Sequence, residues 1–201
     1  HQMSVTLSAA GSLTWLTRAV GARDESALIA EVAAAAAAPV APPIFLPYLS
    51  GERTPHNDPH AKGVFFGLRA EHGRADLACA VLEGVAFALR DGYAALEAAG
   101  TAIGPITVVG GGARSEVWGR ILASVLGRPL ACAAAAEVGP AFGAARLARL
   151  AVTGERVEAV CRAVPVERVF EPDPERVPGL ESRYATYRRL YDALAPFFPS
   201  A

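Results

Sequence analysis

Between residues 106 and 151 the chain changes its hydrophobic period repeatedly, and this alternation constrains the architecture more than any other feature. Ile106, Val108 and Val109 open an apolar run that reads as a buried strand. Gly110, Gly111 and Gly112 follow as a turn, and residues 115–126 carry a helical pattern. Residues 129–133 are again extended and residues 139–151 again helical. This order reads as βαβα and places the chain in the α/β class. At 201 residues the chain can bury enough surface for one self-sufficient core, so a single domain over residues 1–201 is expected.

The remaining segments add helices around that unit. Val5, Leu7, Leu13, Leu16 and Val20 recur loosely at helical spacing, predicting a helix over residues 4–20 that stops at Gly21. Asp24 is suited to cap a second helix, with Glu25 behind it, running through an alanine tract to Pro39. The strongest pattern covers residues 76–99, where Leu77, Val81, Val85, Leu89 and Leu96 form one stripe ended by Gly100. Short strands at 44–46 and 64–66 flank a polar loop, GERTPHNDPHAKG, at 51–63. In the tail, residues 172–198 place Leu180, Tyr184, Tyr187, Tyr191 and Leu194 at spacings of three and four, predicting a helix that lays a tyrosine stripe on the domain.

Composition narrows the function classes. With 52% hydrophobic and 19% charged residues, the chain is too apolar for disorder. A net charge of −1 gives nucleic acid or an anionic membrane surface no electrostatic hold. Lys62 is the one lysine among 19 basic residues, so no phosphate-loop lysine exists. The uncharged window 32–49 is long enough to span a bilayer, but Pro39, Pro42, Pro43 and Pro47 would break its helical hydrogen bonding. Cys79, Cys132 and Cys161 are odd in number, far apart and set in apolar stretches, which fits a reducing, cytoplasmic setting. GxSxG, HExxH and CxxC patterns are absent from the sequence.

Three features carry candidate chemistry. The glycine triplet between strand and helix lets backbone amides approach a phosphate or nucleoside, and Ser115 can cap the helix that follows. A tight turn with no ligand satisfies the same spacing. So does a dinucleotide site with Glu137 as the ribose acid, although Ser115 stands where that fingerprint needs its third glycine. His56 and His60 flank Asp58, but Pro55 and Pro59 forbid the helix that would pair them, leaving a loop metal site or a solvated turn. Arg53 could clamp a substrate or form a surface ion pair with Glu52 or Glu83.

Taken together, these segments resemble the carboxy-terminal half of the FGGY carbohydrate kinases. The family's second signature is filled by Gly63, Phe65, Gly67, Leu68, Asp76, Leu77, Ala80, Val81, Leu82 and Glu83. HQMSVTLSAAGSLTW, FLPYLSGERTPH, VVGGGARSEVW and EVGPAFGAARLA are similar to the branch of the family that acts on D-xylulose. The resemblance implies an actin-like, ribonuclease-H-like ATPase domain whose amino-terminal strands are missing. It implies ATP or ADP near Gly110, Gly111, Gly112, Ser115 and Glu116 on one side and Ala10 and Thr14 on the other. Arg53 and Arg114 are expected at the cleft, and Gly139, Pro140 and Gly143 at close-packed positions. The sugar site, the catalytic base and most Mg2+ ligands are expected in an amino-terminal kinase domain outside this chain, so no catalytic residue is assigned here. The alternatives are another sugar or polyol kinase domain of the same family, or a non-catalytic module that associates, as a homodimer for instance, through Tyr184, Tyr187 and Tyr191.

Overall fold

A computed structural model describes residues 1–35, 41–134, 136 and 139–200. Its centre is a 25-residue helix, Arg74–Ala98, around which the other elements are arranged. In chain order these are α1 (Ala10–Ala19), α2 (Glu25–Ala34), β1 (Ile44–Pro47), β2 (Gly63–Phe66), the central helix α3, β3 (Ile106–Val108), α4 (Glu116–Leu126), β4 (Leu130–Ala133), α5 (Gly139–Thr153), α6 (Val157–Val160), β5 (Val166–Phe170) and α7 (Val177–Leu194).

The predicted stripe of α3 is only part of what it buries. Val81 and Val85 are fully buried, but Leu89 is exposed, while Ala78, Ala80, Gly84, Ala86 and Ala88 are buried as well. Neighbours on several sides cover this helix, and small residues let them approach. At Gly84 a Cβ would overlap the carbonyl oxygen of Phe45 on β1. β1 and β2 form an antiparallel ribbon with Phe45 opposite Phe65, and Trp15 of α1 stacks on both rings.

The second sheet has the order β3-β4-β5. β3 and β4 are parallel, as a βαβ crossover through α4 requires, and β5 returns antiparallel to β4. β5 was not foreseen, because Val166, Glu167, Arg168, Val169 and Phe170 carry no alternation of apolar and polar residues. β3 is half-exposed, with Thr107 facing solvent, and is not the buried strand its composition predicts. α4 covers one face of the sheet, close enough that a Cβ on Gly119 would lie 2.6 Å from the Phe170 ring. The helix expected from residue 4 starts at Ala10. Before it the backbone pairs with the 51–63 loop, Val5 and Thr54 exchanging hydrogen bonds of 3.0 Å. Tertiary pairing overrides a loose helical period there.

α7 seats its stripe as predicted. Tyr187 is fully buried, its hydroxyl 2.7 Å from that of Tyr48, and Tyr184 donates to Asp91 at 2.5 Å. These inward bonds remove Tyr184 and Tyr187 as an association surface. Among the described residues, no helix is long and apolar enough to cross a membrane. Residues 36–40 of the alanine tract, and Glu137, lie outside the described residues.

Candidate functional site

The glycine turn is built from local rules. Gly110 has φ +97°, a conformation side-chain-bearing residues avoid, and its N–H donates to Ala136 at 2.8 Å. Gly111–Arg114 then form a single 3-10 turn, closed by Ala113 N–H on Gly110 O and Ser115 N–H on Gly112 O. Ser115 caps α4, its hydroxyl accepting from the Trp118 N–H at 3.1 Å. Glu116 follows in the first turn and pairs with Arg120 one turn on at 2.8 Å. Gly112 packs close to the Trp118 ring, where a Cβ would sit 3.0 Å from it.

Across from this turn stand α1 and α2, and a cleft of about 720 Å³ separates them from it. Its walls bring together Ala10, Thr14, Gly111, Gly112, Arg114, Ser115 and Glu116, residues about a hundred positions apart in the chain. Gly110 sets the turn but does not line the wall, and neither does Arg53. Sequence reasoning missed Leu13, Glu25, Ser26, Ile29, Val117 and Trp118. Leu13 lies one helical turn from Ala10, and Glu25 directly follows the Asp24 cap whose carboxylate accepts from Ala27 at 2.8 Å. Those positions were the available signal. Leu13, Ile29 and Val117 give the cleft an apolar floor, and the buried Trp118 indole nitrogen has no partner among the described residues. The neighbouring Thr14 hydroxyl holds the Glu25 carboxyl below the usual carboxylate range.

A second cavity of about 730 Å³ lies on the other side of Glu116 and Val117. Its polar side chains are engaged within the protein, Asp76 and Asp173 accepting backbone N–H groups. Buried Glu83 takes Arg183 at 2.7 Å and Arg176 at 3.3 Å. Burial pushes the Cys79 thiol up to about 12, so it is no nucleophile at neutral pH.

The 51–63 loop is tethered at many points. Oε1 of Glu52 accepts the N–H of Leu7 at 3.0 Å and of Arg53 at 2.7 Å. His56 stacks on Tyr191 at 3.4 Å between centroids and bonds the Tyr48 hydroxyl at 3.1 Å, while Tyr191 donates to Asp58 at 3.0 Å. The loop thus holds Arg53 exposed, and Glu83, offered by the sequence as its ion-pair partner, is already taken by the two α7-side arginines. His56 and His60 do not converge. Among the described residues no group of three or more His, Cys, Asp or Glu side chains could hold a metal. Of the positions expected to pack closely, Gly139 does, a Cβ there meeting Val109 at 3.1 Å, whereas Gly143 faces open space.

Residues 2–152 match the family model for the carboxy-terminal domain of the FGGY carbohydrate kinases. The chain belongs to that family. It is 48% identical to the xylulose kinase of Escherichia coli over 98% of its own length and 40% of that protein's. Among solved structures, a xylulose kinase from Brucella ovis superposes with a TM-score of 0.85 at 44% identity, covering 97% of this chain and 40% of that one. The xylulose kinase from Rhodospirillum rubrum follows at 0.76 and 34%, covering 94% and 38%. The chain therefore has the actin-like ATPase fold of these FGGY kinases and spans about 40% of the length of its relatives. Family membership also displaces the dinucleotide reading of the glycine turn.

Proposed function

We propose that this chain is the nucleotide-holding part of a xylulose kinase, an enzyme that transfers the terminal phosphoryl group of ATP to D-xylulose, giving D-xylulose 5-phosphate and ADP. The observation that carries the proposal is the cleft itself, where α1, α2 and the glycine turn meet although nothing in local sequence links them. Its chemistry suits a nucleotide. Gly111 and Gly112 leave room for close approach, and the amino-terminal end of α4 favours an anion by about 0.3–1 kcal/mol. Leu13, Ile29 and Val117 offer an apolar slot for a base.

In this reading the cleft binds and orients, and phosphoryl transfer draws on positioning and charge stabilisation supplied by the whole enzyme. Magnesium, when bound, neutralises charge on the phosphates. The described residues do not fit a dedicated metal site, so its ligands and the base acting on the sugar hydroxyl are assigned to the rest of the kinase, as is the sugar site. Arg53 remains a candidate for contact across the assembled enzyme, because its loop is fixed and its side chain is exposed.

Calorimetric titration of the chain with magnesium and ADP tests the reading. Saturable heat is expected, and Gly112→Val should weaken it by at least about tenfold, since the added methyls crowd Trp118 and the turn. Unchanged affinity in a variant with native circular dichroism would remove the glycine turn from the site.

A further inference from the structure

Arg168 on β5 does not line the cleft, yet its guanidinium reaches the glycine turn, where Nη2 donates to the Ala113 carbonyl at 2.9 Å across 55 positions of the chain. Ala113 is the buried residue of the Gly111–Arg114 turn, and its carbonyl precedes the Ser115 cap, outside the hydrogen-bond ladder of α4. The Cys132 thiol lies 3.6 Å from the same oxygen, a weak donor beside a strong one. Arg168 stands opposite Cys132 in the β4–β5 register and over the buried Phe170 ring, 4.8 Å from its centroid. Among the described residues it makes no ion pair, and its buried Nε has no partner. Taking a cation partly out of water without a counter-charge opposes folding, so this arginine is a poor choice for stability alone.

The turn benefits from such an anchor. Glycine loses more conformational freedom on ordering than any other residue, and Gly110, Gly111 and Gly112 are consecutive. The Gly110 N–H bonded to Ala136 fixes one end of the turn. Because a peptide unit is planar, the bond to the Ala113 carbonyl fixes the orientation of the peptide at the other end. Together they order the turn before a ligand arrives, and less binding energy is then consumed in ordering it. The guanidinium also leaves a full positive charge on the turn, which favours an anionic ligand beyond what the α4 amino terminus supplies. Resting on the nucleotide reading above, we propose that Arg168 is a positioning residue for nucleotide binding, which touches no ligand and sets the glycine turn through the Ala113 carbonyl.

The test is calorimetric titration with magnesium and ADP, run beside urea unfolding, on the chain, on Arg168→Met and on Arg168→Lys. Methionine keeps an apolar stem over Phe170 and removes the donors and the charge, whereas lysine keeps a charged donor. Arg168→Met should bind ADP about tenfold more weakly while retaining native circular dichroism, and Arg168→Lys should recover most of that loss. A merely structural role predicts a different pattern, in which both variants unfold at lower urea and the folded protein keeps its affinity. Affinity of Arg168→Met within about twofold of the parent, or equal losses in the methionine and lysine variants, overturns the assignment while the nucleotide site stands. Where the methionine variant does not fold, Arg168→Gln, neutral and shorter, replaces it under the same criteria. Absence of saturable heat from the unaltered, folded chain removes the nucleotide reading, and this assignment with it.

Discussion

The helical half of the molecule and its three-stranded sheet differ in how completely they are covered. α3 is enclosed by α1, α2, β1, α4 and α7, and its middle turns are buried on every side. The sheet is covered by α4 on one face, while α5 has no buried residue at all. Val109, Phe142, Leu147, Val152, Val157, Val166 and Val169, more than half of the exposed large apolar side chains among the described residues, lie on β5, α5, α6 and the segments beside them. Folding free energy in this chain therefore resides mainly around α3, and the cleft is placed where α1 and α2 of that half meet the edge of the other. The site inherits a rigid wall and a barer one.

Three substitutions can break or sharpen that contrast. The largest effect is expected from Gly84→Ala, because the added Cβ meets the Phe45 backbone and not a flexible side-chain end. A loss above about 3 kcal/mol in urea unfolding is expected. A loss below about 1 kcal/mol would mean that α3 and β1 are less closely packed than described.

Glu52→Gln probes a buried charge in the same half. Burial, followed by the nearby Asp91 charge, raises the Glu52 carboxyl, and its Oε2 has no partner among the described residues. A raised carboxyl stabilises the fold below its unfolded pKa of about 4.3, and that contribution is lost as pH rises through the higher folded value. Glutamine keeps the acceptor for Leu7 and Arg53 and stays neutral. The variant should melt close to the parent near pH 4 and above it by pH 7, with about 2–4 °C for each kcal/mol gained. A constant difference across that range would show that Glu52 has an ordinary titration.

Leu147→Ser on α5 should be the mildest. Its side chain is 68% exposed, so a change within about 0.5 kcal/mol is expected by the same unfolding assay. A loss of about 2 kcal/mol would place α5 in a packed layer and erase the contrast between the halves.

Residues with local causes were legible in advance. Asp24 and Ser115 cap the helices they were expected to cap, and the period-changing run from 106 to 151 yields β3, α4, β4 and α5 in order. The tyrosine stripe of α7 faces inward because its spacing of three and four matches one helical face. The glycine turn and its partners Ala10 and Thr14 were named through family resemblance, since spacing alone left the turn open to other readings. Residues 4–9 and β5 were missed for the opposite reason, their conformation being set by hydrogen bonds to distant segments.

Element types, caps and the α/β class thus follow from the sequence itself, because they depend on neighbours within one or two turns. Tertiary structure decided which residues share the cleft, that Glu83 belongs to Arg176 and Arg183 instead of Arg53, and that Glu25 faces the space opposite the glycine turn. Those pairings span tens to about a hundred residues. They depend on which surfaces of α1, α2 and α4 come to lie against the buried centre of α3, and no local period encodes that.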